Sequence, residues 1–329
     1  MTLMRAGRAL ETVRDWIRWT ATRLARSDLH SPLHSPLHSP LHSPLYYGHG
    51  TDAPWDEAVA LVAGWLRIPP DRLGDMLDAR LTEDERDALG ECVARRIEDR
   101  VPVPYLTGQA WLAGVDFEVD ERVLVPRSPI AFLLEEGLQP WLGERVPLRI
   151  LDLCTGSGCL GILAALAFPD AEVVLADVSS DALDVARRNL ARHGVADRAT
   201  VLLGDGYGAL RTEALRGEVP VTDDHFDLIL CNPPYVDAAD LAAMPPEFAH
   251  EPRLGLAGGE DGLELVARLL PETAAHLTAQ GLMVLEVGNS AAALLRRFPT
   301  LTLTWPELPQ GGTGVALIEA ADLAAAFDG

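Results

Sequence analysis

The sequence Asp152-Leu153-Cys154-Thr155-Gly156-Ser157-Gly158 joins the end of one apolar run to the start of another. The run 148–153, which ends within this stretch, is typical of a buried β-strand, and the segment after it, 159–168, is typical of a helix. Two glycines separated by one residue let the chain turn tightly and let a ligand approach the backbone closely. The stretch therefore predicts a strand, a ligand-binding turn and a helix, which is the opening unit of an α/β domain.

From this unit onward, strand-like and helix-like segments alternate, with helices predicted for example at 180–193 and 261–277. Such alternation is typical of a Rossmann-like parallel sheet with helices on both faces. The last two strands are joined by Pro309-Gln310-Gly311-Gly312, which is too short for a helical crossover, so we expect them to be antiparallel. The seven predicted strands are 148–153, 172–177, 199–204, 226–231, 281–287, 300–305 and 313–318.

Carboxylates stand at the ends of the first three predicted strands, at Asp152, Asp177 and Asp205. Ligands of open α/β sheets bind beyond the carboxyl ends of the strands, where Asp177 is placed to bind ribose hydroxyls and Asp205 to accept the amino group of adenine. The loop lacks the third glycine of a dinucleotide site, which favours a nucleoside ligand without phosphate. The acids at Asp152 and Asp177 favour a cationic ligand such as S-adenosylmethionine.

The fourth predicted strand runs into Asn232-Pro233-Pro234-Tyr235. The proline pair stiffens the backbone and leaves carbonyl groups unpaired. Asn232 adds a side-chain carbonyl, and Tyr235 adds a flat aromatic face. Together they predict a clamp for a planar NH₂ group, in which the oxygens of Asn232 and Pro233 accept its two hydrogens and the ring packs on its plane. Both a carboxamide and the exocyclic amine of a nucleobase have this shape.

The formal net charge is −22, and all 27 basic residues are arginine. Without lysine, the chain supports neither Schiff-base chemistry nor a Walker-type phosphate lysine. A broad basic face for duplex DNA or RNA is not expected either, because phosphate neutralisation dominates such binding. We therefore expect no direct DNA binding. A basic protein partner suits the charge better, although the favoured interpretation of the surplus acid is solubility alone.

The four cysteines do not show the paired spacing of a metal or redox motif, and we interpret them as free thiols with no metal site. No apolar run approaches the roughly 20 residues that cross a bilayer, and the N-terminus does not resemble a signal peptide. We therefore expect a cytoplasmic protein that does not contact membranes.

The N-terminal part predicts helices interrupted by one low-complexity segment. Residues 1–28 predict an N-terminal helix, and 29–45 contain the tetrapeptide Leu-His-Ser-Pro four times in succession. Its evenly spaced histidines could bind a metal, but a replicated linker is the favoured interpretation. Residues 46–110 predict a helical domain, which the family resemblance described below implies is the substrate-recognition domain. Residues 111–130 predict a hairpin linker, and 131–329 the domain that contains the sheet.

These motifs resemble those of the glutamine-amide methyltransferases, which methylate glutamine side chains of translation proteins. The resemblance covers nearly the whole chain apart from the repeated insertion. It is strongest to the branch that acts on large-subunit ribosomal protein three, whereas the release-factor branch favours Arg-Pro-Asp-Thr-Glu where this chain has Arg127-Ser128-Pro129-Ile130-Ala131. The other segments that favour this branch are Glu11-Thr12-Val13-Arg14-Asp15-Trp16, Gly48-His49-Gly50-Thr51-Asp52, Asp152-Leu153-Cys154-Thr155-Gly156-Ser157-Gly158-Cys159 and Val287-Gly288-Asn289-Ser290.

The resemblance implies a class I methyltransferase fold, S-adenosylmethionine as the methyl donor, and a ribosomal protein as the substrate. We expect that protein to be methylated before ribosome assembly, because ribosomal RNA would repel an acidic enzyme. The residues that the resemblance assigns to the cofactor are Cys154, Thr155, Gly156, Ser157, Gly158, Asp177 and Asn232. Those that it assigns to the substrate glutamine and to catalysis are Asn232, Pro233, Pro234 and Tyr235.

Three alternatives stay open at this point: a release-factor methyltransferase, a nucleic-acid exocyclic-amine methyltransferase, and a non-catalytic cofactor-binding scaffold. The chain also departs from the branch pattern at Ala53, Phe132 and Gly206, which stand where asparagine, glutamate and a bulky residue are usual. Segment 236–262 is interpreted either as a glycine-hinged lid or as an inert connection. His250, within it, is a weaker candidate for a catalytic base.

Overall fold

The computed structural model describes residues 10–29, 44–211, 225–308 and 312–327. The chain divides into two compact units: the first comprises Met1–Ala110 with Val119–Glu121 and Pro245–His250, and the second comprises the remainder. Nearly all of the repeated insertion lies outside the described residues. No helix in the described ranges is both long enough and apolar enough to cross a membrane.

The first unit is helical and is built around an apolar core that includes Trp16, Leu24, Leu61 and Leu89. Thr82 shows how the sequence sets one helix end: its side chain accepts a hydrogen bond from Glu85 N, and the Glu85 carboxylate accepts one from Thr82 N. The helices described in this unit are α1 (Val13–Leu29), α2 (Pro54–Trp65), α3 (Leu73–Met76), α4 (Glu83–Glu98) and α5 (Val103–Thr107).

A cluster of buried charges lies within the first unit. Arg96 Nε donates to Glu57 Oε2 at 3.0 Å, and Arg96 Nη1 donates to Glu247 Oε1 at 3.2 Å. Arg100 Nη1 donates to the same glutamate oxygen at 3.2 Å, and so does Tyr46 N at 3.0 Å. Because buried charges are costly unless they are paired, Glu247 ties segment 245–250 to this unit although that segment follows the fourth strand of the sheet in the chain.

A short hairpin of β1 (Gln109–Leu112) and β2 (Val115–Glu118) precedes the main sheet. It is shorter than the predicted segment 111–130, since residues 119–129 contain no strand.

The main sheet has six strands in the order β5-β4-β3-β6-β7-β8, and all neighbours are parallel except β7 and β8. Its strands are β3 (Arg149–Leu153), β4 (Glu172–Asp177), β5 (Ala199–Leu203), β6 (Phe226–Cys231), β7 (Leu277–Glu286) and β8 (Val315–Glu319). The helices described in this unit are α6 (Ile130–Glu135), α7 (Cys159–Ala167), α8 (Ser180–His193), α9 (Ala238–Ala243), α10 (Arg253–Leu256), α11 (Glu264–Thr273), α12 (Ala291–Arg297) and α13 (Ala320–Phe327). The α/β class and the central parallel sheet predicted from the sequence are confirmed.

The prediction of seven strands was wrong by one. The predicted strand 300–305 forms only a single antiparallel bridge, between Thr304 and Leu317, with backbone hydrogen bonds of 3.0 and 2.8 Å. Pro299 and Pro306 enclose this run, and each proline lacks an amide hydrogen and restricts the residue before it. The bridge confirms the predicted antiparallel orientation of this segment, but the prolines keep it too short for a full strand.

We predict that Glu247→Ala lowers the free energy of unfolding by about 3–5 kcal/mol, because Arg96 and Arg100 lose their shared buried acceptor. Urea denaturation followed by tryptophan fluorescence measures this. The control is Asp75→Ala, which removes an exposed 3.0 Å pair with Arg72 in the same unit and is expected to change the free energy by about 1 kcal/mol at most. Equal effects of the two variants would contradict a structural role for the buried cluster.

Candidate active site

Parallel pairing aligns the ends of the four predicted site strands. Leu153 at the end of β3 is the register partner of Ala176 on β4 and of Cys231 on β6, and Asp177 is the partner of Leu203 on β5. The glycine loop, Asp177 and the Asn-Pro-Pro-Tyr stretch therefore all follow the same carboxyl edge of the sheet. Sequence reasoning anticipated this edge.

The two glycines of the loop have different physical roles. Gly158 has a φ of +82°, and an added Cβ would lie 3.2 Å from both the Ala186 Cβ and the Leu175 Cδ2. Gly156 has a φ of +56°, and an added Cβ would meet nothing within 4 Å. Gly158 is thus required for packing of the loop against β4 and α8, whereas Gly156 leaves open space beside the backbone that a ligand can occupy.

Asp152 is buried and only half of its carboxylate is satisfied. Its Oδ2 accepts hydrogen bonds from Thr155 Oγ1 at 2.5 Å and from Gly161 N at 2.8 Å. Its Oδ1 is buried and has no hydrogen-bond partner among the described residues. Burial raises the pKa of Asp152 to about 7. A buried acceptor without a donor favours a ligand that brings a donor or a positive charge to this oxygen.

Asp177 is held by backbone amides on both oxygens. Gly156 N donates to its Oδ2 and Ser179 N to its Oδ1, each at 2.9 Å. These bonds fix the carboxylate beside the glycine loop, where further hydroxyl donors can still reach its remaining lone pairs.

Two apolar residues beside Asp177 were missed from the sequence. Val178 follows it directly and is 52% exposed, and Leu203 on β5 is 50% exposed. Large apolar side chains that stay exposed at the carboxyl edge of a sheet can cover the face of a flat ring. Their signal was available in the sequence, since Val178 directly follows Asp177 and Leu203 stands two residues before Asp205.

Asp205 lies at the same edge but is already paired. Arg268 donates to both of its carboxylate oxygens, at 2.8 and 2.7 Å, and both side chains are 57% exposed. The hydrogen bond from Arg268 lowers the pKa of Asp205. A bond from adenine would have to share the carboxylate with this pair, so the assignment of Asp205 stays a prediction. Arg268 comes from α11, and nothing local in the sequence indicated it.

The Asn-Pro-Pro-Tyr clamp is held tightly at its tyrosine. Ser290 Oγ donates to the Tyr235 carbonyl at 2.9 Å, and an added Cβ at Gly288 would lie 2.5 Å from the Tyr235 ring. An added Cβ at Gly262 would lie 2.3 Å from the Tyr235 carbonyl oxygen. By contrast, the side chain of Asn232 forms no hydrogen bond to any described residue. The clamp thus combines a fixed ring with an amide oxygen that is free to accept.

A buried glutamate beneath the clamp was also missed. Glu286 ends β7, and its carboxylate accepts hydrogen bonds from Tyr235 Oη at 2.8 Å and from Ser128 Oγ at 2.5 Å. Burial raises the pKa of Glu286 and that of Tyr235. Next to Ser128, Arg127 pairs with Glu251 at 2.9 Å. An acid within the apolar run 281–287 was the available signal, but its partners lie far away in the chain.

The two ends of segment 236–262, which follows the clamp, are joined by backbone hydrogen bonds. Val236 N donates to Leu256 O at 2.9 Å, and Gly258 N donates to Val236 O at 2.8 Å. An added Cβ at Gly258 would lie 2.7 Å from Gly262 O, so this glycine serves close packing. The ring of His250 places its Nε2 2.8 Å from the Asp99 carbonyl, to which that nitrogen donates. These contacts favour neither a hinged lid at these glycines nor a catalytic base at His250.

No group of three or more His, Cys, Asp or Glu side chains within the described residues could hold a metal ion. Burial raises the pKa of the Cys159 thiol to about 12, which leaves it a poor nucleophile. The geometry at this edge therefore favours binding of a cationic, flat-ringed ligand beside a clamp for an NH₂ group.

Comparisons with known proteins agree with this geometry. Residues 137–251 match the family described as the methyltransferase small domain. The chain is 46% identical to the ribosomal protein uL3 glutamine methyltransferase of Bordetella pertussis strain Tohama I, over 94% of this chain and 95% of that one. It is 38% identical to the protein of the same name from Francisella tularensis subsp. tularensis, over 94% and 90% of the two chains.

A solved structure of the hMettl16 catalytic domain aligns with a TM-score of 0.46 and 18% identity, over 72% of this chain and 81% of its own, which is too distant for an inference. The two sequence relatives match almost from end to end and are decisive. The chain belongs to the ribosomal protein uL3 glutamine methyltransferase family, whose methyl donor is S-adenosylmethionine.

Proposed function

We propose that this protein transfers a methyl group from S-adenosylmethionine to the side-chain amide nitrogen of a glutamine in ribosomal protein uL3. The names of its two relatives support the substrate, and the clamp supports the chemistry. The single observation that carries the chemistry is the pairing of an unpartnered Asn232 amide with a Tyr235 ring held against Gly288. A glutamine carboxamide has the planar NH₂ group that such a clamp accepts.

The residues at the carboxyl edge fit S-adenosylmethionine. The unpartnered Asp152 Oδ1 suits its positive charge, and the open space at Gly156 admits it beside the backbone. Asp177, with residues 154–158 and Asn232, would hold it, and Val178 and Leu203 offer apolar surface to the purine. When bound, it supplies a methyl group on a sulfonium, which is a strong electrophile.

The clamp is proposed to act on the nucleophile. An amide nitrogen is a poor nucleophile because its lone pair is shared with the carbonyl group. When Asn232 Oδ1 and the Pro233 carbonyl accept the two amide hydrogens, electron density at the nitrogen increases and its lone pair is directed at the electrophile. Tyr235 fixes the orientation of the carboxamide by packing on it. Positioning and charge stabilisation supply most of the rate. The proton passes to water after transfer, when the methylated nitrogen is strongly acidic.

The first unit is proposed to recognise the substrate protein. In this proposal residues 46–110 form the substrate-recognition domain, 111–130 the linker, and 131–329 the methyltransferase domain. The formal net charge of −22 favours a basic partner that is free of nucleic acid. We therefore propose that uL3 is methylated in the cytoplasm before it enters the ribosome.

Incubation with labelled S-adenosylmethionine tests the substrate. Isolated uL3, a peptide release factor, ribosomal RNA and DNA are offered separately, and mass spectrometry identifies the modified residue. We expect label on a glutamine of uL3 alone. Label in the release factor would assign the chain to the other branch of the family, and label in nucleic acid would overturn the proposal.

We predict that Asn232→Ala lowers kcat by about 100-fold or more, because one of the two acceptors of the amide hydrogens is lost. Asn232→Asp keeps an acceptor oxygen and is expected to retain more activity. Steady-state kinetics on uL3 measure both, with cofactor affinity and melting temperature recorded to confirm that the variants fold. Near wild-type turnover of Asn232→Ala with unchanged cofactor binding would refute the clamp mechanism.

We predict that the affinity for S-adenosylmethionine rises with pH through about 7, because the unpartnered oxygen of Asp152 attracts a cation only when the carboxyl is ionised. Below that pH, binding must release a proton from Asp152. Isothermal titration calorimetry at pH 6, in buffers of different ionisation enthalpy, measures this release. Asp152→Asn should abolish it, and release that persisted in this variant would assign it to another group.

A further inference from the structure

We propose that Glu286 is a positioning residue for methyl transfer, which as a carboxylate holds the phenol of Tyr235 on one oxygen and the hydroxyl of Ser128 on the other. The inference rests on the proposed function, because it assigns Glu286 to the clamp that binds the substrate glutamine. It adds a residue that is neither part of the Asn-Pro-Pro-Tyr stretch nor adjacent to it in the chain.

The two hydrogen bonds determine what Glu286 must be. Tyr235 Oη donates to its Oε1 at 2.8 Å, and Ser128 Oγ donates to its Oε2 at 2.5 Å. The Ser128 oxygen also accepts from Ile130 N at 3.2 Å, so its own hydrogen is directed to the glutamate. An ionised carboxylate can accept one hydrogen on each oxygen, which matches the two hydroxyl donors. A protonated carboxyl carries a hydrogen of its own, which would compete with the hydroxyl hydrogen directed at the same oxygen.

Few other charges of the described residues face this carboxylate. Arg127 is the nearby cation, and it is already paired with Glu251 through two contacts of 2.9 and 3.1 Å. The charge of Glu286 also acts on the Cys231 thiol on β6, whose pKa it helps to raise. The residue opposite Glu286 on β8 is the apolar Val315. The hydroxyls of Tyr235 and Ser128 are therefore the main stabilisers of the negative charge. Burial raises the pKa of Glu286, and both of these hydrogen bonds oppose that rise.

The consequence for the clamp is geometric. The phenol of Tyr235 is engaged by Glu286, so it is the ring face of the tyrosine that is available to a carboxamide. The ring lies against Gly288, which has no side chain, and the bond to Glu286 prevents it from rotating away. Protonation of Glu286 would force one of the two hydroxyls to turn, and Tyr235 would lose part of its support. Catalysis should therefore fail as the pH falls through the pKa of Glu286, which is higher than that of an ordinary glutamate.

Three pH profiles of kcat on uL3 test this, each measured at S-adenosylmethionine concentrations that stay saturating over the whole pH range, so that titration of Asp152 does not contribute. Glu286→Gln keeps the volume but cannot accept from both hydroxyls, so we expect kcat to fall about tenfold or more and the acid limb of the profile to disappear. Ser128→Ala removes one stabilising donor and keeps the tyrosine bond, so the acid limb should move to higher pH with a plateau near that of the wild type. A purely structural Glu286 would lower the melting temperature of its variant and leave the acid limb in place.

A matched pair of control variants lies at the opposite end of the same strands. Asp227, at the start of β6, accepts hydrogen bonds from Thr278 Oγ1 at 3.2 Å and from Leu148 N at 2.9 Å. Asp227→Asn and Thr278→Val repeat the chemical changes of Glu286→Gln and Ser128→Ala away from the clamp. Both controls should retain the wild-type acid limb, and a shift of that limb in either control would count against the inference.

A second measurement needs no substrate. The chain has five tyrosines, so protein labelled with fluorotyrosine gives few fluorine resonances, and Tyr235→Phe identifies the resonance of Tyr235. This resonance should titrate in the acidic range in the wild type and not in Glu286→Gln. Identical titration in the two proteins would overturn the inference. If wild-type protein failed to methylate uL3 the proposed substrate would be wrong, whereas the fluorine titration would still decide the link between Glu286 and Tyr235.

Discussion

The parallel pairing of β3 with β4 on one side and β6 on the other is the constraint on which the site depends. It places the glycine loop, Asp177 and the Asn-Pro-Pro-Tyr stretch at one edge, although long stretches of chain separate them. A slip of one residue in the pairing of β3 would turn Asp152 to the opposite face of the sheet. Buried apolar strands resist such a slip, so the same burial that stabilises the sheet also aligns the chemistry.

Two buried carboxylates beside this edge illustrate how similar groups acquire different roles. Desolvation raises the pKa of both Asp152 and Glu286. Asp152 receives its donors on one oxygen and leaves the other unpartnered, which suits a ligand that carries a positive charge. Glu286 receives one donor on each oxygen and is thereby complete without a ligand. The number and placement of hydrogen-bond donors, and not burial alone, distinguish the binding role that we propose for Asp152 from the positioning role that we propose for Glu286.

Sequence reasoning succeeded where the signal is local and failed where a partner comes from elsewhere in the chain. The strand, turn and helix around Gly156 and Gly158 follow from their own residues, and the structure contains them. Segment 300–305 has the composition of a strand, yet its flanking prolines reduce it to one bridge. Arg268 gives no signal in its own neighbourhood, and the segment that contains Ser128 indicates only the branch of the family, because each side chain acts through a carboxylate that the fold brings to it.

The sequence by itself determined the class of the domain, the order of its strands along the chain, and the two motifs that we propose bind the cofactor and the amide. It could do so because tight turns, proline stiffness and apolar periodicity act over a few residues. Only the tertiary structure decided which side chains form hydrogen bonds across the fold. These pairs are Tyr235 with Glu286, Arg268 with Asp205, and Arg96 with Glu247. Those pairings join residues that are distant in the chain, and their energies depend on burial, which exists only after the chain has folded.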